Sequence, residues 1–579
     1  MKKSTYLFTL VFLLIGNYTI AQTARVQLIH NSPDLAAATV DVYINGSIPD
    51  ASLDNIMFRT ASPFLTVPTD TALTIDITAP DAVDNSSPIF TKQLNLADGF
   101  TYILVADGIV SDTGYEPNIP FDVFSYAFGQ ESGLNGASNT DIVLHHGGVD
   151  APTEIDIIDG AAAPGAPAIF NSADYGTFVG RDNSETTNGR YKSLPSIDYV
   201  IKVTDEATVE TIEAYDATLT DLEGVNLAGD AVVLVASGFL DPTVNSDGAD
   251  FGLFVFSALG GGGVGLEIPA VPKASVQLIH NSPDAGPVDV YVENVLTFED
   301  VNFRVASPFF ETFAKINLKI DVRPANATAT SIPVLSEIVT LDENNDYIIV
   351  VDGLVNGSGA SALNYEIYDL ARQAANDNTK VDVLVHHGSP DTPSVDIFET
   401  AITNGAELVD NISYTDFDGY QTLDPAAYVL EVREEGTTNV LNEGNADISG
   451  FIGQSITIIA SGLLTPSSGN EDQALELYVF TSSGGAGIGL GNTLSVDEFN
   501  ESNTRIWPNP VLSEVNIQIP FLYNKGTVQI FDIIGKQMIS ENLEKNTVNT
   551  VDVSQLGTGI YILQLNIDDK NLTTKIEIR

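Results

Sequence analysis

Short apolar runs separated by turn residues recur along the whole chain. Val26 to His30, Val40 to Ile44, Leu73 to Thr78, Tyr102 to Ala106 and Val123 to Ala127 are rich in β-branched and aromatic residues. Asn, Asp, Gly, Ser and Pro fill the gaps between them. Sustained helical periodicity is scarce. Short strands with two buried faces predict an all-β fold of tandem Ig-like β-sandwich domains. The N-terminus has a different pattern. Lys2 and Lys3 precede an apolar run from Tyr6 to Ile15, and Thr19-Ile20-Ala21 supplies small residues before a cleavage point. This predicts a signal peptide over residues 1–21, cut between Ala21 and Gln22. No other stretch is apolar enough to form a transmembrane segment.

The pattern repeats in detail. ARVQLIHNSPDLAAATVDVY (Ala24 to Tyr43) returns as ASVQLIHNSPDAGPVDVY (Ala274 to Tyr291), FRTASPF (from Phe58) as FRVASPF (from Phe303), and YILVADG (from Tyr102) as YIIVVDG (from Tyr347). A second pair alternates with the first. DIVLHHGGVDAPTEIDI (from Asp141) matches DVLVHHGSPDTPSVDIF (from Asp382). Each continues to an Ala-Ser-Gly strand end, at Ala236-Ser237-Gly238 and Ala460-Ser461-Gly462, and then to a glycine-rich stretch. Both kinds of unit share a strand, a His, an Asp a few residues on, and Val/Ile-Asp-Val/Ile. The expected organisation is A-B-A′-B′: β-domain A over 22–138, B over 139–268, A′ over 269–378 and B′ over 379–492. A linker over 493–504 and a small C-terminal β-sandwich over 505–579 complete the chain.

The A units resemble the DUF4397 family, whose hallmark is His-x-Ser-Pro-Asp-Ala followed by Val-Asp-Val-Tyr. Ser282, Pro283, Asp284 and Ala285 fit this pattern, whereas A carries Leu35 at the Ala position. The B units look like diverged members. The family has no assigned molecular function, so the resemblance implies a fold but no reaction. The C-terminus resembles a type A sorting domain of the type IX secretion system of Bacteroidetes. Pro508, Asn509 and Pro510 open the match, Gly535 and Lys536 follow the second strand block, and Gly559 and Tyr561 mark the third. That resemblance implies Sec export, recognition by the type IX secretion machinery, and a cell-surface or extracellular destination.

Charge narrows the partners. The 579 residues include 78 acidic and 24 basic ones, for a formal net charge of −54. Nucleic acid is excluded as a partner, because phosphate recognition needs clustered Lys and Arg. Such acidity reads as a solubility device, or as carboxylate loops for calcium. The loop residues Asn245, Asp247 and Asp250 are the calcium candidates, although their spacing does not fit an EF-hand. With no cysteine in the chain, disulfides and thiolate chemistry are excluded.

All six histidines lie in the repeat motifs: His30, His145, His146, His280, His386 and His387. With Asp34, Asp41, Asp284, Asp289 and Asp391 they could form a His/Asp site for metal or general-base chemistry. The alternative is structural, with a His capping the first strand of each domain. Adjacent strand residues point to opposite faces, so neither His-His doublet converges on one ion. Gly260, Gly262 and Gly265 satisfy G-x-G-x-x-G, but Pro269 and Pro272 follow where a helix would start. Both glycine tails read as domain-end linkers. No catalytic motif or cofactor fingerprint is present. The expectation is an exported, non-catalytic repeat protein that binds a glycan or protein ligand. The alternatives are a structural spacer without a ligand, or a secreted hydrolase using an acidic pair.

Overall fold

The structure is a computed structural model. It describes residues 22–163, 165–180, 190–259, 261–326, 328, 331–403, 405–467, 473–490, 504–519, 525–532, 535–543, 548–567 and 570–579. The expected signal peptide and most of the expected linker before the sorting domain lie outside the described residues. The elements are strands and a few single-turn 3-10 helices. Among the described residues no helix is long and apolar enough to cross a membrane. The chain divides into two compact units, Met1–Ala270 and Val271–Arg579.

In the first unit, A is a two-sheet sandwich. Its front sheet runs Thr60–Ala61, Thr23–His30, Thr101–Asp107, Asp122–Tyr126, and its back sheet Ile56–Met57, Thr39–Ile44, Leu73–Thr78, Phe90–Leu94. The two central front strands run parallel, with Asn-Ser-Pro-Asp following one and Gly108 the other. This parallel pair departs from the all-antiparallel sheets of an immunoglobulin sandwich. B repeats the plan. Asn139–Gly148 lies parallel to Ala231–Gly238 in its front sheet, and Glu154–Asp159 and Asp198–Asp205 centre its back sheet. Each sandwich has its own core, built on Val26, Leu28, Val42 and Ile77 in A, and on Leu144, Ile157, Val203 and Leu234 in B.

The front strands are apolar on both faces, so each front sheet needs a second cover. In the first unit the two front sheets supply it to each other. Ile29, Ile103 and Val105 of A meet Val143, Val233, Val235 and Phe254 of B in a separate cluster. The second unit repeats this, with Ile279, Ile348 and Val350 of A′ against Leu384, Ile459 and Phe480 of B′.

The glycine tails are arms of the fold. Gly263–Val264, beyond the last long strand of B, pairs with Thr60–Ala61 and extends the front sheet of A. Gly485–Ala486 of B′ extends A′ in the same way, against Val305–Ala306. A Cβ on Gly262 would lie 2.5 Å from the Pro63 nitrogen, so glycine is what allows the approach. Their reading as linkers is corrected by this pairing; Gly260 lies outside the described residues.

The C-terminal module packs two sheets, centred on Glu514–Gln518 and on Gly526–Asp532 with Gly559–Ile567, around Val515, Val528, Leu563 and Ile576.

Candidate functional site

The repeated histidines occupy two structurally different places. In all four domains one ring caps the end of the first strand. Nε2 donates to a carbonyl in the following turn: His30 to Ala37 at 2.6 Å, His146 to Pro152 at 2.8 Å, His280 to Gly286 at 2.9 Å and His387 to Pro393 at 3.0 Å. In three of the rings Nδ1 accepts a backbone N–H two residues on, from Gly148, Ser282 and Ser389. This fixes the neutral Nε2–H tautomer. Burial pushes His30 and His146 down to about 4, and lowers His280 and His387 as well.

A pH dependence follows. An unfolded imidazole takes up its proton near pH 6.5, whereas the folded rings stay neutral to lower pH. Their contribution is complete above pH 6.5 and is lost as pH falls toward 4. The melting temperature of the mature protein should fall across this window. His146→Gln should flatten part of the fall, as checked by calorimetric melts at half-unit pH steps.

The repeated aspartates hold backbone. The Asp of Val/Ile-Asp-Val/Ile accepts the N–H of a residue with positive φ on the neighbouring edge segment. Asp41 takes Asn55 (2.7 Å), Asp156 takes Ser172 (2.7 Å), Asp289 takes Asp300 (2.9 Å) and Asp396 takes Asn411 (2.9 Å). The Asp that follows the capping His clamps a loop two and three residues beyond a glycine. Asp34 binds the Val110 and Ser111 N–H groups, and Asp150 those of Leu240 and Asp241. Asp284 binds Val355 and Asn356, and Asp391 binds Leu464 and Thr465. No His/Asp pair forms within a single domain from these residues. The rings face carbonyls and the carboxylates face N–H groups.

The first histidine of each doublet faces the opposite way, into the joint between front sheets. His145 Nε2 lies 3.4 Å from Asp107 Oδ2, and His386 Nε2 lies 3.0 Å from Asp352 Oδ2; all four side chains are fully buried. Strand register pairs His30 with Ala106 in A, just before Asn31 and Asp107, and Gly147 with Ser237 in B. Asn31 donates to Asp107 at 2.7 Å. Opposite them Gly147 leaves the space they occupy, since a Cβ there would overlap the Asp107 carboxylate and the Asn31 amide. A and B are thus complementary, not interchangeable.

An arginine clamps each joint. Arg59 of FRTASPF donates to Ser237 Oγ (3.0 Å), to the Ser237 carbonyl (3.1 Å) and to the Asp250 carbonyl (2.6 Å), and lies over the Phe254 ring. Arg304 binds Ser461 Oγ (3.0 Å), the Ser461 carbonyl (2.9 Å) and the Ala474 carbonyl (2.7 Å), over Tyr478. Sequence reasoning passed over both arginines. Their recurrence at one position, in a chain with 24 basic residues, was the signal that could have found them.

The loop residues named as calcium candidates have other contacts. Asn245 is buried. Its amide donates to Asp150 and to the Asp241 carbonyl, and its Oδ1 accepts the Glu116 N–H, so it acts as a brace. Asp247 and Asp250 are exposed, and Asp250 serves Arg59 through its carbonyl. Asp396, Glu407 and Asp410 bring carboxylate oxygens within 4.8 Å of one another. Asp396, however, already accepts the N–H groups of Asn411 and Gly436. The sorting-motif residues shape turns. Asn509 bridges Lys575 and Glu577, the Lys536 N–H binds Asp532, and the Tyr561 hydroxyl donates to the Gly557 carbonyl. Pro508 and Pro510 flank Asn509, and Gly535 and Gly559 sit at a turn and a strand start.

Residues 505–579 match the secretion system C-terminal sorting domain. Residues 274–398 and 381–484 match the domain of unknown function DUF4397. The chain carries DUF4397 domains and a C-terminal sorting domain. The sorting domain directs it through type IX secretion to the cell surface or extracellular space. No curated relative matches the chain. Among solved structures, the Bacillus anthracis TIE protein aligns over 79% of this chain and 67% of its own, at 10% identity and a TM-score of 0.12. Trypsin-activated alpha-2-macroglobulin from Escherichia coli aligns over 93% of this chain and 46% of its own, at 10% identity and a TM-score of 0.11. Scores this low carry no argument.

Proposed function

We propose that the exported protein is a non-catalytic binding protein whose ligand, a glycan or another protein, is held by the loops between strands. One observation carries the reading. The polar residues that repeat through the four domains are spent on backbone hydrogen bonds or buried in the joints, which makes the repetition architectural. The loops that differ between copies are where side chains remain at the surface. The loop after Leu73–Thr78 in A presents Val83, 98% exposed, and the corresponding loop after Leu318–Pro324 in A′ presents Ile332, 88% exposed. An apolar side chain presented to water at the same loop of both A domains suits ligand contact.

The test is to probe glycan and extracellular-protein arrays with the mature protein and with a Val83→Ser/Ile332→Ser variant. Binding that the variant loses, with an unchanged melting temperature, is the expected result. Silence on both arrays would favour a spacer, and turnover of any arrayed glycan or protein would overturn the non-catalytic reading.

A further inference from the structure

The doubled histidines separate the two units chemically. His145 and His386 stand at the position that isoleucine takes in the A domains, Ile29 and Ile279, and they face the carboxylate of the partner domain. In the second unit the His386 ring has two acceptors. Nδ1 lies 3.0 Å from the Asp416 carbonyl and Nε2 lies 3.0 Å from Asp352 Oδ2. A carbonyl can only accept, so Nδ1 carries a hydrogen. Asp352 Oδ1 already takes the Gly353 N–H (2.9 Å) and Asn281 Nδ2 (3.0 Å). The Nε2···Oδ2 contact therefore needs a proton of its own. The joined pair holds one proton more than a neutral imidazole beside a free carboxylate. The network continues across the joint, because Ser461 Oγ donates to Asn281 Oδ1 at 2.5 Å and Arg304 holds Ser461.

The first unit is built differently around the same ring. Both nitrogens of His145 lack a hydrogen-bond partner, and Asp107 stands back at 3.4 Å. Register explains the change. Val105 pairs with Phe124 in A, and its counterpart Val350 pairs with Glu366 in A′. A phenyl ring thus stands 5.7 Å from the His145 ring, whereas a half-buried carboxylate stands near His386. The groups facing His386 are Asp352 and Glu366 from A′, Asp416 and the Phe417 ring from B′, the neighbouring His387, and Arg304 through Ser461 and Asn281, while Tyr414 stands by Asp352, Glu366 and the His387 ring. Burial, with Asp352 adding to it, raises the Glu366 carboxyl, and His386 works against the rise.

We propose that the His386–Asp352 contact is a proton-dependent latch on the A′–B′ joint, without a counterpart in the A–B joint, which tightens as the surroundings acidify. In separated domains above neutral pH an ordinary imidazole is neutral and a carboxylate is ionised. Docking takes up one proton, so opening becomes up to about tenfold more favourable per unit rise in pH. Burial lowers the four capping rings, so they change protonation only in more acid solution and leave the slope alone.

The test uses the full mature chain. Hydrogen exchange, corrected for its intrinsic pH dependence, is followed in Asp346–Asp352 and Val381–Gly388, and in Thr101–Asp107 and Asn139–Gly148 for comparison. The expected result is opening that rises with pH only in the second unit, and a slope removed by Glu366→Phe/Asp352→Asn. Ring ¹⁵N signals of the unaltered protein decide independently of whether the variant folds. A hydrogen on both His386 nitrogens at pH 6.5 supports the latch. A bare Nε2 at that pH, or equal slopes in both units, would overturn it.

Discussion

Gly147→Ala is expected to destabilise the first unit by about 2–4 kcal/mol, which lowers its melting temperature by roughly 10 °C. The added methyl enters space already held by Asp107 and Asn31 from the facing sheet. Either the sheets separate, or the 2.7 Å bond between Asn31 and Asp107 breaks and leaves a buried carboxylate short of a donor. Burial already raises the Asp107 carboxyl, with the Asn31 amide and the Gly108 N–H opposing it, so losing a donor there is costly. Differential scanning calorimetry checks the size of the effect. Gly224→Ala, at a turn with nothing within 4 Å of the new methyl, is the control. Its φ of +84° costs some backbone strain, but the joint is untouched.

Arg304→Ala is expected to cost about 3–5 kcal/mol, because it strips donors from the buried Ser461 carbonyl and the Ala474 carbonyl together. The cores of A′ and B′ do not include Arg304. Hydrogen exchange should therefore rise first in the strands that form the joint, Asp346–Asp352 and Ser455–Ser461, and later in the back sheets. Arg304→Lys should recover little. An ammonium cannot reach Ser461 Oγ, the Ser461 carbonyl and the Ala474 carbonyl from one planar fork.

The strands were legible because β-branched runs such as Val26 to His30 and Leu73 to Thr78 sit between unambiguous turn residues. The opposite facing of His145 and His146 was legible too, since alternation along a strand allows nothing else. What each histidine faces was not. His146 meets a carbonyl six residues away, whereas His145 meets a carboxylate from another domain. Only the packing of two front sheets brings that carboxylate there. The glycine tails misled for a related reason. Glycine marks a loop when read locally, yet Gly262 is required by the backbone of Ser62 and Pro63, residues far away in the chain. The contacts of Asn245 were hidden for the same reason: its oxygen is taken by an N–H in the preceding domain.

The arm Gly263–Val264 covers the edge of A with residues synthesised only after nearly all of B. During export, A therefore emerges with Thr60–Ala61 as an open sheet border, and it keeps that border until the end of B arrives. A chain that ends anywhere within B before the arm leaves that border of A open. The order of the two domains along the chain thus makes B the completing half, and the sheet border of A closes only with the last few residues of B.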